Sequence, residues 1–452
     1  MSTPPGPGTM GPHQPSDAAA DASRPELAPG DGTGTARGPG SVGYRAVFAV
    51  REFRAVFAAH LLSMLGEVVC GIALAVLIYR LTDSPLLSAL TFAAAMLPYV
   101  IGGTLLSSVA DRFPPRRVLV VCDLVHAACV AAMVVPGTPV AALLALRCVT
   151  ATVSPVFSGT RSATLGDILG EGDAFVLGRS VIRITAQSAQ LAGFAVGGLL
   201  LAAVSPRAVL VLTSAALVGS ALILRFGTRR RPARLGAGGD GGALLADSLR
   251  GVRRLFGDRR IRGLLLLSWV PPMFVVMPEV LLTPYSDGLG LGPAGLGLLM
   301  CGMPVGAVVS EVLVGSLLGP RARARLTLPV GVAAAVPALG YAAHPSFGWA
   351  LALQVLTGCG IAYSLGLDQW FLAAVPEELR GRAMTVLTAG LMTSQGLGMT
   401  AAGAAAEFAP VSVVATVSGG LGAVCSLLVA LEVRRGAGGA EPSGPGTERT
   451  EL

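Results

Sequence analysis

Twelve long apolar stretches constrain this chain more than any other feature. They lie at about 53–79, 86–110, 117–136, 139–160, 180–204, 207–226, 262–284, 293–318, 326–343, 347–367, 383–407 and 411–432. A helix rises 1.5 Å per residue, so ~20 apolar residues cross a hydrocarbon layer ~30 Å thick. A water-soluble chain of this length would show short elements and alternating patterns instead. The runs at 326–343 and 347–367 are the weakest, because Pro and Gly interrupt them. Of the 452 residues 53% are hydrophobic and only 13% charged, against about 25% charged in soluble domains. The expectation is an all-α integral membrane protein of about twelve transmembrane helices.

The charged residues test that count. All 33 basic residues are Arg, and the formal net charge is +7. If the N-terminus is cytoplasmic, inside segments hold 27 arginines, while the outside connections hold only Arg80 and Arg207. A miscounted helix would invert every later connection and erase the contrast, so an even number of spans with both ends inside is expected. The charge reports orientation in a lipid bilayer, here the cell membrane, and calls for no nucleic-acid partner.

Between the sixth and seventh spans, 227–261 is polar, Gly-rich and basic. It divides the chain into a disordered cytoplasmic tail (1–43), a six-helix half (44–226), a central cytoplasmic loop (227–261), a second six-helix half (262–435) and a second tail (436–452). The tails are rich in Gly, Pro and Ala and lack periodicity. An internal repeat supports two halves. Gly178, Arg179, Thr185, Ala186 and Gly193 reappear as Gly381, Arg382, Thr388, Ala389 and Gly396, at a constant offset. Two six-helix pseudo-repeats in parallel orientation are one transporter architecture.

Several functions are disfavoured. The seven cysteines fall in apolar runs without a CxxC pair, so neither a disulfide framework nor a metal site is expected. His13, His60, His126 and His344 are dispersed, with no metal spacing or nucleophile elbow. A chain without Lys cannot form a Walker A motif. A membrane-embedded enzyme is therefore the weakest reading, and no cofactor is expected.

One connection carries a family resemblance. Ser107-Ser108-Val109-Ala110-Asp111-Arg112-Phe113-Pro114-Pro115-Arg116-Arg117 resembles the G-x-x-x-D-R-x-G-R-R loop of the major facilitator superfamily. Asp111, Arg112, Arg116 and Arg117 match; Ser107 and Pro114 replace the two glycines, and Pro115 replaces an Arg. Gly159 to Asp167 resembles the end of span four in the siderophore- and macrolide-exporter branch. Gly193-Phe194-Ala195-Val196-Gly197-Gly198 is similar to the span-five G-P-x-x-G-G of drug:proton antiporters, with Phe194 in place of Pro. Val375 to Arg382 resembles the P-x-x-x-R-G-R before span eleven. The resemblance covers about 45–435. It implies a secondary transporter, most readily a proton-coupled exporter of an amphiphilic small molecule. A proton-coupled symporter importing a small solute is the alternative. Two pseudo-symmetric halves suffice for a monomeric carrier.

Ionisable groups inside a bilayer cost about 2.5–3.5 kcal/mol each on insertion scales, so they tend to face a cavity or a partner. His60, Ser63, Met64, Glu67 and Gly71 share one face of the first span and are expected to face a water-filled interior. Helices one, four, seven and ten line the central cavity in the superfamily. That implies Glu67, Arg147, Glu279 and Gln354 as lining residues, with Glu311 on helix eight as a second carboxylate that could titrate. Asp123 and His126, three residues apart on helix three, are secondary candidates. By the same resemblance Asp111, Arg112, Arg116 and Arg382 gate the cytoplasmic side, the Asp111 carboxylate facing the N-terminal dipole of helix eleven. Gly193, Gly197 and Gly198 should permit close helix packing. Pro271 and Pro272 should kink helix seven. Thr388, Met392, Gln395 and Met399 form a stripe on helix eleven. Trp269, Trp349 and Trp370 are expected to anchor at the membrane interface.

Overall fold

The computed structural model describes residues 44–102, 113–169, 173–232, 255–376 and 379–438. The described residues are helical, with no strand among them. That is the expected response of a backbone in hydrocarbon, where every N–H and C=O must be satisfied within its own segment or within a closed barrel.

A helix meets each expected span. After a short helix Tyr44–Ala49 come α1 (Arg51–Thr82), α2 (Pro85–Met96), α3 (Pro115–Val134), α4 (Val140–Leu169), α5 (Asp173–Ala203) and α6 (Pro206–Gly227). The second series is α7 (Arg259–Val280), α8 (Pro293–Leu317), α9 (Pro320–Ala333), α10 (Phe347–Cys359, running on through Gly360–Ala362 to Tyr363–Ala374), α11 (Arg380–Ala406) and α12 (Val411–Gly438). Nine helices among the described residues are long and apolar enough to cross a membrane. Pro85–Met96 and Ser188–Ala203 are shorter apolar stretches, and α11 is richer in Gly, Ser and Thr.

Local chemistry sets the helix starts. α2 and α6 each begin with Ser followed by Pro; the Ser84 and Ser205 hydroxyls accept from Leu87 N (3.1 Å) and Ala208 N (3.3 Å). Asp258 caps α7, accepting from Arg260 N at 2.7 Å and Ile261 N at 3.1 Å. The interruptions also follow sequence. The Leu97–Pro98 turn ends the regular part of α2 before Tyr99–Ile101. After Pro329, α9 gives way to a 3-10 segment, Val336–Ala343, containing Pro337. Two helices outrun the apolar signal: α4 continues to Leu169 and α10 to Ala374.

In the first series α1 packs on α5 and α6, and α3 on α4 and α6; in the second, α7 packs on α11 and α12, and α8 on α10. The two series meet where α5 lies on α8 and α2 on α11. One end of the bundle, called here the near end, holds the start of α1, the end of α6 and the start of α7. The far end holds the short connections after α1, α3, α5, α7, α9 and α11.

Candidate functional site

Glu67 and Arg147 approach each other from α1 and α4, with Arg147 Nη2 4.0 Å from Glu67 Oε1. That is a loose pair, beyond hydrogen-bond distance. The Arg147 side chain is 8% exposed and that of Glu67 30%. Small neighbours make the room: a Cβ placed on Gly71, one turn beyond Glu67, would sit 3.9 Å from Arg147 Nη2. Arg147 Nε is buried without a hydrogen-bond partner. Beside the pair is a void of about 10 Å³ lined by Gly66, Glu67, His126, Arg147 and Thr150 among others, large enough for about one water. His126 Nε2 lies 2.8 Å from the Thr150 carbonyl. A carbonyl only accepts, so that nitrogen carries the proton. Thr150 in turn donates to Arg147 O at 2.8 Å.

Toward the near end the same helices hold two more polar clusters. Asp123 is fully buried, with Ser63 Oγ 3.4 Å from Oδ1 and Ser220 Oγ 2.5 Å from Oδ2. Ser220 Oγ also lies 3.0 Å from Ala59 O. Beyond it, Arg161 Nη1 is 2.5 Å from His60 Nδ1. Guanidinium can only donate, so His60 Nδ1 accepts and the imidazole proton sits on Nε2. Arg161 also lies over the Phe157 ring, 5.6 Å from its centroid. The expected common face of α1 therefore divides. His60 and Ser63 are buried against α4 and α3, and Glu67 keeps the partial exposure.

The other sequence candidates lie apart. Glu279 is half-buried near the far end of α7, and no partner for it is found among the described residues. Glu311 is half-buried in α8. Gln354 is buried at the α8–α10 contact: a Cβ on Gly302 would meet Gln354 Cβ at 2.7 Å, and Gln354 Nε2 has no partner. Asp111 and Arg112 lie outside the described residues, as does the Arg382 side chain. Arg116 donates to Thr228 O at 3.3 Å, tying the start of α3 to the end of α6. Gly193 and Gly197 bring α5 against Val68, Val69 and Ile72 of α1; Gly198 brings it against α8, where an added Cβ would lie 2.8 Å from Gly297 Cα. α7 runs on through Pro271, Pro272 and Pro278 and ends at Val280. Trp269 departs from the interfacial expectation. It sits ten residues into α7, its indole N–H donating to Leu387 O of α11 at 3.0 Å.

Sequence reasoning passed over three groups that the fold makes prominent. Arg161 counted as a connection residue, yet α4 carries it inside. Asp368 lay one residue past an expected span end; α10 continues, and Asp368 lines a cavity of about 200 Å³ with Ser268, Ser364 and Gln395. Glu407 ends α11 and reaches α2. Its Oε1 accepts from Leu86 N at 3.0 Å and from the Ser84 hydroxyl. The unbroken apolar–helical period through Phe371 could have signalled Asp368; nothing in the sequence pairs Glu407 with Ser84.

The hydrogen bonds seen to cross between the two helix series, those to Glu407 and that from Cys301 Sγ to Leu191 O (3.6 Å), lie from the far end to mid-bundle. The apolar core mixes both series there: Leu74, Leu210, Leu282 and Leu299 share one cluster, and Ala89, Val280 and Met399 another. At the near end each cluster draws on one series alone.

A sequence model described as Major Facilitator Superfamily matches residues 56–367. No curated protein matches the chain. Solved structures share the fold. The nucleoside transporter NupG is 14% identical with a TM-score of 0.66, covering 85% of this chain and 99% of that one. A POT family transporter in complex with 5-aminolevulinic acid is 11% identical with a TM-score of 0.69, over 88% and 98%. A bacterial homologue of the iron transporter ferroportin, in its inward-facing state, is 16% identical with a TM-score of 0.62, over 86% and 98%. At such identities the likeness speaks for the fold alone.

Proposed function

The chain belongs to the Major Facilitator Superfamily, and on that premise we propose that this secondary transporter is a proton-coupled exporter of an amphiphilic small molecule. Coupling needs a carboxylate that can exchange a proton and a fixed charge that responds to the exchange. The Glu67–Arg147 pair supports that role, and it is the observation the reading rests on. The partners are close enough to attract and too far apart to be locked. One is buried and permanently charged, and the other reaches open space.

The cycle follows from the pair. With Glu67 ionised, Arg147 is neutralised within the first helix series. Protonating Glu67 frees Arg147, leaving a buried cation whose Nε already lacks a partner, a state that favours a change of conformation. Residues of both series would line the path: Glu67 and Arg147 on one side, the Asp368 cavity on the other, with Glu279 and Glu311 as further carboxylates. If the near end faces the cytoplasm, as the arginine distribution implies, the structure is inward-facing. Its far end is closed by α2–α11 and α5–α8, and Glu67 would release its proton inward as cargo binds. Outward direction is supported by the exporter-type segments Gly159–Asp167 and Gly193–Gly198.

Proteoliposomes with an imposed pH gradient and a panel of amphiphilic compounds test the reading. Exchange of cargo against protons is expected, together with proton release when cargo is added to purified protein. Glu67→Gln should abolish that release while the protein still binds cargo. Release that persists in Glu67→Gln removes Glu67 from the scheme, flux indifferent to the gradient removes proton coupling, and flux in the same direction as protons makes the protein a symporter.

A further inference from the structure

Where α3 begins and α6 ends, five arginines line one cleft of about 480 Å³: Arg116, Arg117, Arg225, Arg230 and Arg231. None of the cavity-lining candidates contributes to it, although Arg116 belongs to the gating set that the family resemblance implies; it sits at the near end, between the start of α3 and the end of α6. Two of the five have roles within the protein. Arg116 holds Thr228 O. Arg231 is gripped by Glu52 through Nη1 at 2.6 Å and Nη2 at 3.0 Å. Arg117, Arg225 and Arg230 have no carboxylate partner among the described residues, and all three are exposed. Of the five arginines, Glu52 and Asp167 act on Arg231, so the other cations leave the cleft with an excess of positive charge that an anion would offset.

Directly beyond the cleft, toward the bilayer, the surface is apolar. Val121 (56% exposed), Leu222 (50%) and Phe226 (80%) continue from the cationic wall along the same two helices. A soluble anion would be served by the arginines and gain nothing from that strip. An anionic phospholipid uses both, because its phosphate lies at the depth of the helix ends and its acyl chains lie against the helix flanks. Arginine suits the phosphate, whose oxygens it can engage in a fork. We propose that this cleft is a binding site for the headgroup of an anionic phospholipid, with Arg117, Arg225 and Arg230 on the phosphate and Val121, Leu222 and Phe226 against the chains.

Full-length protein, purified in a mild detergent and mixed with phosphatidylglycerol, phosphatidylcholine or glycerol 3-phosphate, decides the matter by native mass spectrometry and thermal melting. Phosphatidylglycerol should be retained and should raise the melting temperature; phosphatidylcholine and glycerol 3-phosphate should do neither. Arg225→Gln and Arg230→Gln, both at exposed positions outside the helix packing, should each weaken retention about fivefold. Arg434→Gln/Arg435→Gln, which removes near-end charge elsewhere, should leave retention unchanged. Equal retention by the cleft variants and the wild type overturns the site. Equal loss in the distant double variant reduces the effect to general surface charge and also overturns it. Equal protection by glycerol 3-phosphate assigns the cleft to a soluble phosphate and overturns the lipid.

Discussion

Asp123 shows how little a buried carboxylate's surroundings can be inferred from its type. Its hydrogen-bond partners are hydroxyls, with the Arg161 charge nearby but not bonded to it, and Ser220 has a single proton to share between Asp123 Oδ2 and Ala59 O. If the carboxyl is ionised, one of those two acceptors goes without. If it carries a proton, it donates to Ser220 Oγ, Ser220 donates to Ala59 O, and each group is satisfied. An amide can donate as the protonated acid would. Asp123→Asn should therefore melt within about a couple of degrees of the wild type. Ser220→Ala, which strands a buried oxygen, should cost about 1–3 kcal/mol. Thermal unfolding in detergent measures both. An Asn variant as unstable as Asp123→Ala would mean that the site needs the negative charge itself.

At the scale of whole helices, the end of α11 and the start of α2 form a contact with consequences for the transport cycle. Glu407 caps α2 from the other series, placing a negative charge at the positive end of the helix dipole and satisfying a free N–H. The contact exists only while the far end is closed. Glu407→Gln keeps an acceptor and loses the charge, so it should raise the far-open population by no more than about fivefold. Val280, 2% exposed in the far-end cluster with Ala89 and Met399, reports the change. Alkylation of a cysteine placed there should be faster in the Glu407→Gln background, and an unchanged rate would show that the cap does not hold the gate. This contact also marks where reading the sequence runs out. Apolar run length was enough for the all-α bundle, each of the twelve runs meeting a helix. Helix ends were less visible: α4 and α10 carry Arg161 and Asp368 past the point where hydropathy falls, because helix hydrogen bonding continues after the apolar signal stops. Invisible were the partners across helices. Ser220 with Asp123, His60 with Arg161 and Glu407 with Ser84 depend on crossing angles and depth, which periodicity does not encode. Trp269 illustrates the same limit. Its place near a span end suggested an interface anchor, but ten residues of helix precede it and its N–H finds a backbone carbonyl of α11.

For the molecule as a whole, the uneven distribution of contacts makes a prediction about motion. Between the halves, close-packed small residues such as Gly198 against Gly297, and Gly403 against Leu86 and Ala89, bring helices together toward the far end. At the near end the apolar clusters close within one half or the other. Each half can therefore keep its own core while the surface between them opens and closes, which is the condition for rigid-body alternation. Rocking about a mid-bundle site requires the two ends to change in opposite senses. Spin labels at Leu81 and Leu289 would report the far end, and labels at Arg54 and Arg260 the near end; all four positions are exposed. In a background without native cysteines, pulsed electron resonance should give a short far-end and a long near-end distance in the resting protein. Conditions that favour the other state should lengthen the first as they shorten the second. Glu67→Gln, held in the neutral form, should bias the two distributions together. Lengthening at the far end without shortening at the near end would mean that a local gate moves while the halves stay fixed, because two rigid bodies sharing one pivot cannot open at one end without closing at the other.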